Sequence, residues 1–332
     1  MPQITIITPA YNAEDTIEKA IQSMTSQSYQ DLSIILVDDG STDDTLEIMK
    51  QAAAEDKRIW VLEMGTHSCA AAARNTGLQV VPGDCKYVYF ADADDSMEPN
   101  AIEVMVTKME ETGADLLTFG YRQIRRRDGS AKEITAPEGH FTGEQIRGDY
   151  TAYTADSACK VLGSCWNKCF RMDRIRQYDI KFPGLQRNEE EVFIMEYLKH
   201  ADSICNIPDI LYNFYPIDME RAFERIPEEF CKDVEIFRIN RLQYAQGWNC
   251  DNQKTREFIA KEYWGKMILG LKLCLNPKKP LGNAEFRKRM KQMMKGLDEI
   301  GYVPDSVSGS TVYKLMKMGF TPAVKMLLKR GL

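Results

Sequence analysis

The chain lacks any apolar run of 18 residues, so it offers no transmembrane helix. Its first residues show neither the basic stretch nor the apolar core of a secretory signal, and the expectation is a cytoplasmic protein. Nine cysteines stand at irregular spacing with no Cys-x-x-Cys pair, and their nearest cluster, Cys159, Cys165 and Cys169, has no histidine close by. Zinc needs a tighter four-ligand pattern, so these read as buried free thiols in a reducing compartment. Histidine is scarce, and His67 and His140 have no motif partner; both read as structural or exposed. No internal repeat is read from about residue 217 onward, and no nucleic-acid partner is expected.

What is present supports a real core: 44% of the 332 residues are hydrophobic and 28% are charged. That length predicts one large domain plus an appendage. The net charge of −6 is unevenly spread. From Lys272 onward 13 Lys and Arg face four acids, a balance of +9, so the first 271 residues carry −15. Such asymmetry marks a C-terminal segment that faces or tolerates something anionic.

The densest chemistry lies in Tyr87-Val88-Tyr89-Phe90-Ala91-Asp92-Ala93-Asp94-Asp95. An apolar run delivers two carboxylates, two residues apart, to a strand end, where alternation points both to one side. Hard oxygen ligands of this kind suit Mg²⁺ or Mn²⁺, which keep open positions for substrate phosphates. Around this motif, strands at Ile4–Thr8, Leu32–Val37 and Ile59–Leu62 alternate with helices. Asn12 is expected to cap the first helix, whose apolar face is Ile17, Ala20, Ile21 and Met24; Ser41 with Asp44 resembles a capping box for the second. Ala70–Leu78 reads as a short helix, and Pro99 opens a helix with Ile102, Met105, Val106 and Met109 inward. This alternation predicts a mostly parallel α/β sheet with its ligand at the carboxyl ends of the strands. Asp115–Ile124 reads as a further strand, and Arg125-Arg126-Arg127-Asp128-Gly129 as a solvated hairpin tip. Cys165–Phe170 is expected to return to the sheet, and Glu189–His200 to form a helix. Beyond a boundary near Pro216 the pattern is helical throughout.

Four blocks occur in order: Ile4–Ala13 with Thr8-Pro9-Ala10-Tyr11-Asn12, then Ile34–Asp43 with Asp38-Asp39-Gly40, then Ala72-Ala73-Arg74-Asn75, then Asp92-Ala93-Asp94. Together they resemble the family 2 glycosyltransferases of the GT-A fold, which pass a sugar from a nucleotide diphosphate to an acceptor. The likeness is strong over residues 3–110 and weaker to about 215. It implies a GT-A catalytic domain over residues 1–215, Rossmann-like, followed by a helical C-terminal region over residues 216–332. It also implies an inverting transfer, with Mn²⁺ or Mg²⁺ as cofactor and a UDP-sugar as donor, to a glycan or lipid-linked acceptor.

The resemblance then distributes roles. Thr8, Pro9 and Tyr11 lie on the donor side, with Tyr11 stacking on the base. Asp38 or Asp39 accepts from a uracil N3–H or a ribose hydroxyl, and Asp39 is preferred for the base. Arg74 offers its fork to the diphosphate or a base edge. Asp92, with Ala93 beside it, touches the ribose and, indirectly, the ion, Asp94 ligates the ion, and Asp95 is a further ligand or a cap. The family's Glu-Asp base pair matches Glu189 and Glu190 in Asn188–Phe193, so the usual Asp has become Glu190, with Glu191 or Glu189 as fallback bases. Trp166, Asn167 and Lys168 fall on the acceptor side. The family Arg that follows tyrosines like Tyr212 is missing from Asn213–Pro216. A sugar nucleotidyltransferase is disfavoured because no Gly-rich basic loop follows the first strand. A non-catalytic donor-binding subunit stays open through the change at Glu190. Residues 311–332 hold five basic residues and no acid, with Val312, Leu315, Met316, Phe320, Val324, Leu327 and Leu328 apolar. They either pack back on the chain, mediate self-association, or lie on an anionic cytoplasmic membrane face.

Overall fold

A computed structural model describes residues 3–135, 137–149, 151, 163–185, 188–216, 230–275, 282–304 and 307–329. Two compact units divide the chain, Met1–Ile217 and Asp218–Leu332.

The first unit is a ten-stranded sheet flanked by helices. Its elements run β1 (Ile4–Ala10), α1 (Ile17–Thr25), β2 (Leu32–Asp38), α2 (Thr45–Glu55), β3 (Ile59–Glu63), α3 (Ala70–Gln79), β4 (Tyr87–Phe90), β5 (Ser96–Met97) and α4 (Ala101–Thr112). They continue with β6 (Leu116–Ile124), β7 (Ala131–Ile134), β8 (Gly139–Thr142), α5 (Gly143–Gly148), β9 (Lys168–Arg171), α6 (Met172–Gln177), α7 (Glu189–Leu198) and β10 (Ser203–Phe214). The spatial order is β3-β2-β1-β4-β9-β6-β10-β5, with β7 on β6 and β8 on β10. Strands β3, β2, β1 and β4 pair parallel, as do β6 and β10, while β9 runs antiparallel between β4 and β6. The continuous apolar runs of β1, β2 and β4 are buried along nearly their whole length, as parallel strands covered on both faces must be.

Periodicity sets the helix faces. Ile17, Ala20, Ile21 and Met24 of α1 are buried, and so are Ile102, Met105, Val106 and Met109 of α4. Helix α3 approaches β1 closely enough that a Cβ on Gly77 would stand 2.5 Å from Ile7 Cγ2. Two expected caps are corrected. Asn12 adopts φ 46° and turns its Oδ1 to the Thr42 N–H, leaving Thr16 at the helix start. Ser41 caps nothing either: Asp44 precedes α2, and Asp43 accepts from the Thr45 N–H. Both loops instead bind each other across the ends of β1 and β2, because the Ser41 Oγ accepts from the Asn12 N–H.

The second unit is helical throughout its described residues: α8 (Phe230–Gly247), α9 (Gln253–Leu273), α10 (Asn283–Ile300), α11 (Val307–Lys317) and α12 (Thr321–Lys329). Asn252 caps α9 through the Thr255 N–H. Phe286, Met290, Met293 and Leu297 form the inner face of α10. Buried Arg238 pairs with Glu235 on its own helix and with Glu299 of α10 at 2.7 Å. No helix among the described residues is long and apolar enough to cross a membrane.

Candidate active site

The sheet brings the ends of β1, β2 and β4 side by side, with Ala10 in register with Asp38 and the Ala91 N–H bonded to the Ile7 carbonyl. Everything singled out after those strands therefore faces one rim. At its β2 end, Asp38 is consumed locally: its carboxylate accepts from the Gly40 and Ser41 N–H groups. Asp39 points elsewhere. Its Oδ1 accepts from the Ser68 N–H at 2.9 Å and its Oδ2 lies 2.9 Å from His67 Nδ1. Tyr11 is 43% exposed, and its ring stacks on that same imidazole at 3.8 Å and 17°. His67 is thus no isolated residue but a partner of both candidate base-binding groups. Thr8 is fully buried with its hydroxyl on the Met24 sulfur, so it supports the strand rather than the cleft. Pro9 is half-buried and Ala93 buried, and they shape the backbone there.

At the β4 end, Asp92, Asp94 and Asp95 crowd together. Burial, opposed by Arg74 and reinforced by Glu190 and Asp94, pushes the Asp92 carboxyl up to about 7. Burial and then Asp92 and Asp94 push Asp95 up to about 8, although Asp95 also accepts from the Tyr215 N–H. Carboxylates that repel one another this way form a donor set suited to a divalent cation, which removes the repulsion. Among the described residues no three His, Cys, Asp or Glu side chains are grouped to hold an ion unaided, so an ion here needs oxygens from a ligand.

Arg74, on α3, takes a different position from the expected free fork. Its side chain is 4% exposed and engages Asp92 at 2.9 Å, Glu189 at 3.0 Å and Glu190 at 3.5 Å. It ties the acidic motif of β4 to the first turn of α7. Glu190 Oε1 also accepts from the Cys165 N–H at 3.0 Å and the Cys165 thiol at 2.8 Å. Burial raises the Glu189 carboxyl, with Glu190 adding to that. Glu191 turns inward and is buried.

Two further corrections concern the acceptor side and the hairpin. Trp166 is buried, with its ring stacked on Tyr212 at 4.9 Å and Phe214 at 5.1 Å, so it belongs to the core and presents no open face to a sugar. Asn167 and Lys168 are buried beside it; the Lys168 Nζ donates to the Ser164 carbonyl and to Asn167 Oδ1, and burial pulls its pKa down to about 8. The β6–β7 tip is not merely solvated. Arg126 reaches across to donate to the Asp94 carbonyl at 2.6 Å, stands 3.7 Å from its carboxylate, and lies over the Tyr215 ring. Nothing in the basic run distinguished Arg126 from its neighbours; only the hairpin register does. Of the cysteine cluster, Cys165 and Cys169 are buried free thiols, and Cys159 lies outside the described residues.

A mostly parallel sheet flanked by helices, with carboxylates gathered beyond its strand ends, has the architecture of a GT-A domain. The comparisons with known proteins agree. The profile described as Glycosyl transferase family 2 matches residues 5–169. An uncharacterized glycosyltransferase of Haemophilus influenzae is 42% identical over 201 residues, 60% of this chain and 74% of the relative. TuaG of Bacillus subtilis, a glycosyltransferase attributed to teichuronic acid biosynthesis, is 38% identical over 265 residues, 78% of this chain and 97% of TuaG. Among solved structures, S. aureus TarS 1–349 in complex with UDP-GlcNAc shares the fold at TM-score 0.69 and 18% identity, covering 99% of this chain and 91% of that one. The mannosyltransferase PcManGT of Pyrobaculum calidifontis, in complex with GDP-Man and Mn²⁺, matches at TM-score 0.52 and 15% identity over 98% and 85%. The chain belongs to glycosyltransferase family 2, and it is an enzyme of that class.

Proposed function

We propose that the chain moves a sugar from a UDP-sugar to a hydroxyl of a glycan or lipid-linked acceptor, with inversion, in a reaction that requires Mn²⁺ or Mg²⁺. The observation that carries this is that Tyr11 and Asp39 meet at His67 beyond the ends of β1 and β2, while Arg74 joins Asp92, beyond β4, to Glu189 and Glu190. Neighbours of this fold that bind UDP-GlcNAc, or GDP-Man with Mn²⁺, support it.

In this reading Tyr11 stacks on the base and Asp39 accepts its ring N–H. Asp92 and Asp94 would hold the metal, whose charge offsets that of the departing diphosphate. Arg126 supplies the cation that the segment after Tyr212 lacks. Glu190 accepts the acceptor hydroxyl proton while that oxygen attacks the anomeric carbon from the face opposite the diphosphate. Arg74 holds Asp92, Glu189 and Glu190 in place. A second reading has one observation in its favour: Glu190 Oε1 already accepts two hydrogen bonds from Cys165, which fits a donor-binding subunit without transfer. Incubating the purified protein with UDP-, GDP- and dTDP-sugars and Mn²⁺ separates the two. Release of UDP from one donor is expected; tight binding with no release under any acceptor mixture favours the subunit.

We also propose that the C-terminal region attaches to an anionic membrane face on the cytoplasmic side. Met318, Phe320 and Met326 are exposed beside Lys314, Lys317, Lys325 and Lys329, the composition of a surface-lying amphipathic segment. Self-association through these helices is the competing use of the same face.

A further inference from the structure

The base end of the site is already filled by the protein's own imidazole. His67 lies nearly parallel to Tyr11 at 3.8 Å and sets its Nδ1 2.9 Å from Asp39 Oδ2. These are the two places that the donor reading assigns to a nucleobase: a flat ring on Tyr11 and a ring nitrogen against Asp39. We propose that His67 is an internal occupant of the nucleobase slot, and that a donor binds only as His67 leaves it. This rests on the donor site proposed above.

The surrounding contacts fix the backbone that carries the imidazole. Segment 64–68 is pinned by the Met64 N–H on the Asp38 carbonyl and the Ser68 N–H on Asp39 Oδ1. It lies so near Gly40 that a Cβ there would stand 2.6 Å from the His67 nitrogen and 2.7 Å from the Thr66 carbonyl carbon. With φ 74°, Gly40 also occupies backbone space that side chains avoid. The backbone is thus fixed, whereas the imidazole has 48% of its surface exposed and can swing outward. Asp39 itself is 2% exposed, so its Oδ2 meets a base only where the imidazole now stands.

Self-occupation reduces apparent affinity by the fraction of molecules with the slot open. A minor open state of about a tenth makes every base-bearing ligand roughly ten-fold weaker, by one common factor, because the closed state does not depend on which ligand arrives. A ligand without a base escapes that factor.

Calorimetry on the full chain tests this with UDP, CDP and pyrophosphate, each with Mn²⁺, for wild type and His67→Ala. The expected result is about ten-fold tighter binding of both UDP and CDP by the variant, with pyrophosphate unchanged. Equal or weaker UDP binding by His67→Ala overturns the inference, the weaker case making His67 a second plate over the base. UDP binding to neither protein instead removes the donor site itself. Imidazole resonances give a second readout, with only three histidines to assign. The His67 signal should lose the ring-current shift of Tyr11 on adding UDP, and a signal that does not move contradicts the proposal.

Discussion

Lys168 shows how much of the site's chemistry is set by burial rather than by motif. Its ammonium is fully buried and its pKa falls to about 8, against about 10.4 in an unfolded chain. The folded state therefore binds fewer protons than the unfolded one between those values. The resulting penalty is complete below pH 8 and fades as pH rises toward 10.4. Wild-type stability, measured relative to Lys168→Met by urea unfolding, should rise by about 3 kcal/mol across that window. A difference that stays flat with pH contradicts the burial account. The same contrast between type and surroundings separates the two aspartates after β2. Asp38 and Asp39 are indistinguishable as letters, yet one closes its own turn and the other holds His67. The resemblance gives the Arg74 fork to the diphosphate or a base edge, and three carboxylates from β4 and α7 hold it in the structure.

Whole elements were legible where one period dominates. The apolar runs of β1, β2 and β4 and the inward faces of α1 and α4 follow from residues 4–8, 32–37, 87–90, 17–24 and 102–109 read alone, because burial on two faces or one stripe leaves a direct imprint. Caps and hairpin tips were not legible. Asn12 and Ser41 have the right residue types, but their partners stand about 30 positions away on the other loop. Trp166 has the shape for a sugar platform, and only the arrival of Tyr212 and Phe214 from β10 makes it core. The β6–β7 hairpin is such a tip. Since it sets Arg126 beside Asp94, Arg126→Ala should weaken UDP binding about ten-fold, the worth of one charge-assisted hydrogen bond, and leave uridine binding unchanged. Parallel losses for UDP and uridine in calorimetric titrations would mean that the hairpin shapes the base slot instead.

At the scale of the whole molecule, an acidic catalytic portion is joined to a basic helical one. The +9 balance from Lys272 onward, with exposed Met318, Phe320 and Met326, predicts co-sedimentation with anionic vesicles at low salt and release at high salt. Equal binding to neutral vesicles, or none to either, refutes that use of the region. The central claim concerns the rim of the first unit, which must both bind a donor through the Asp92–Asp94 end and transfer its sugar through Glu190. Mn²⁺-dependent UDP release from a UDP-sugar, followed in wild type, Asp94→Ala and Glu190→Gln alongside UDP affinity, tests it most directly. The account predicts that Asp94→Ala loses Mn²⁺-dependent binding and turnover while its melting is unchanged, since that side chain is 41% exposed. It predicts that Glu190→Gln keeps UDP affinity and loses roughly 10²–10⁴-fold in turnover. Wild-type turnover in Glu190→Gln, or unchanged Mn²⁺-dependent binding in Asp94→Ala, would contradict it.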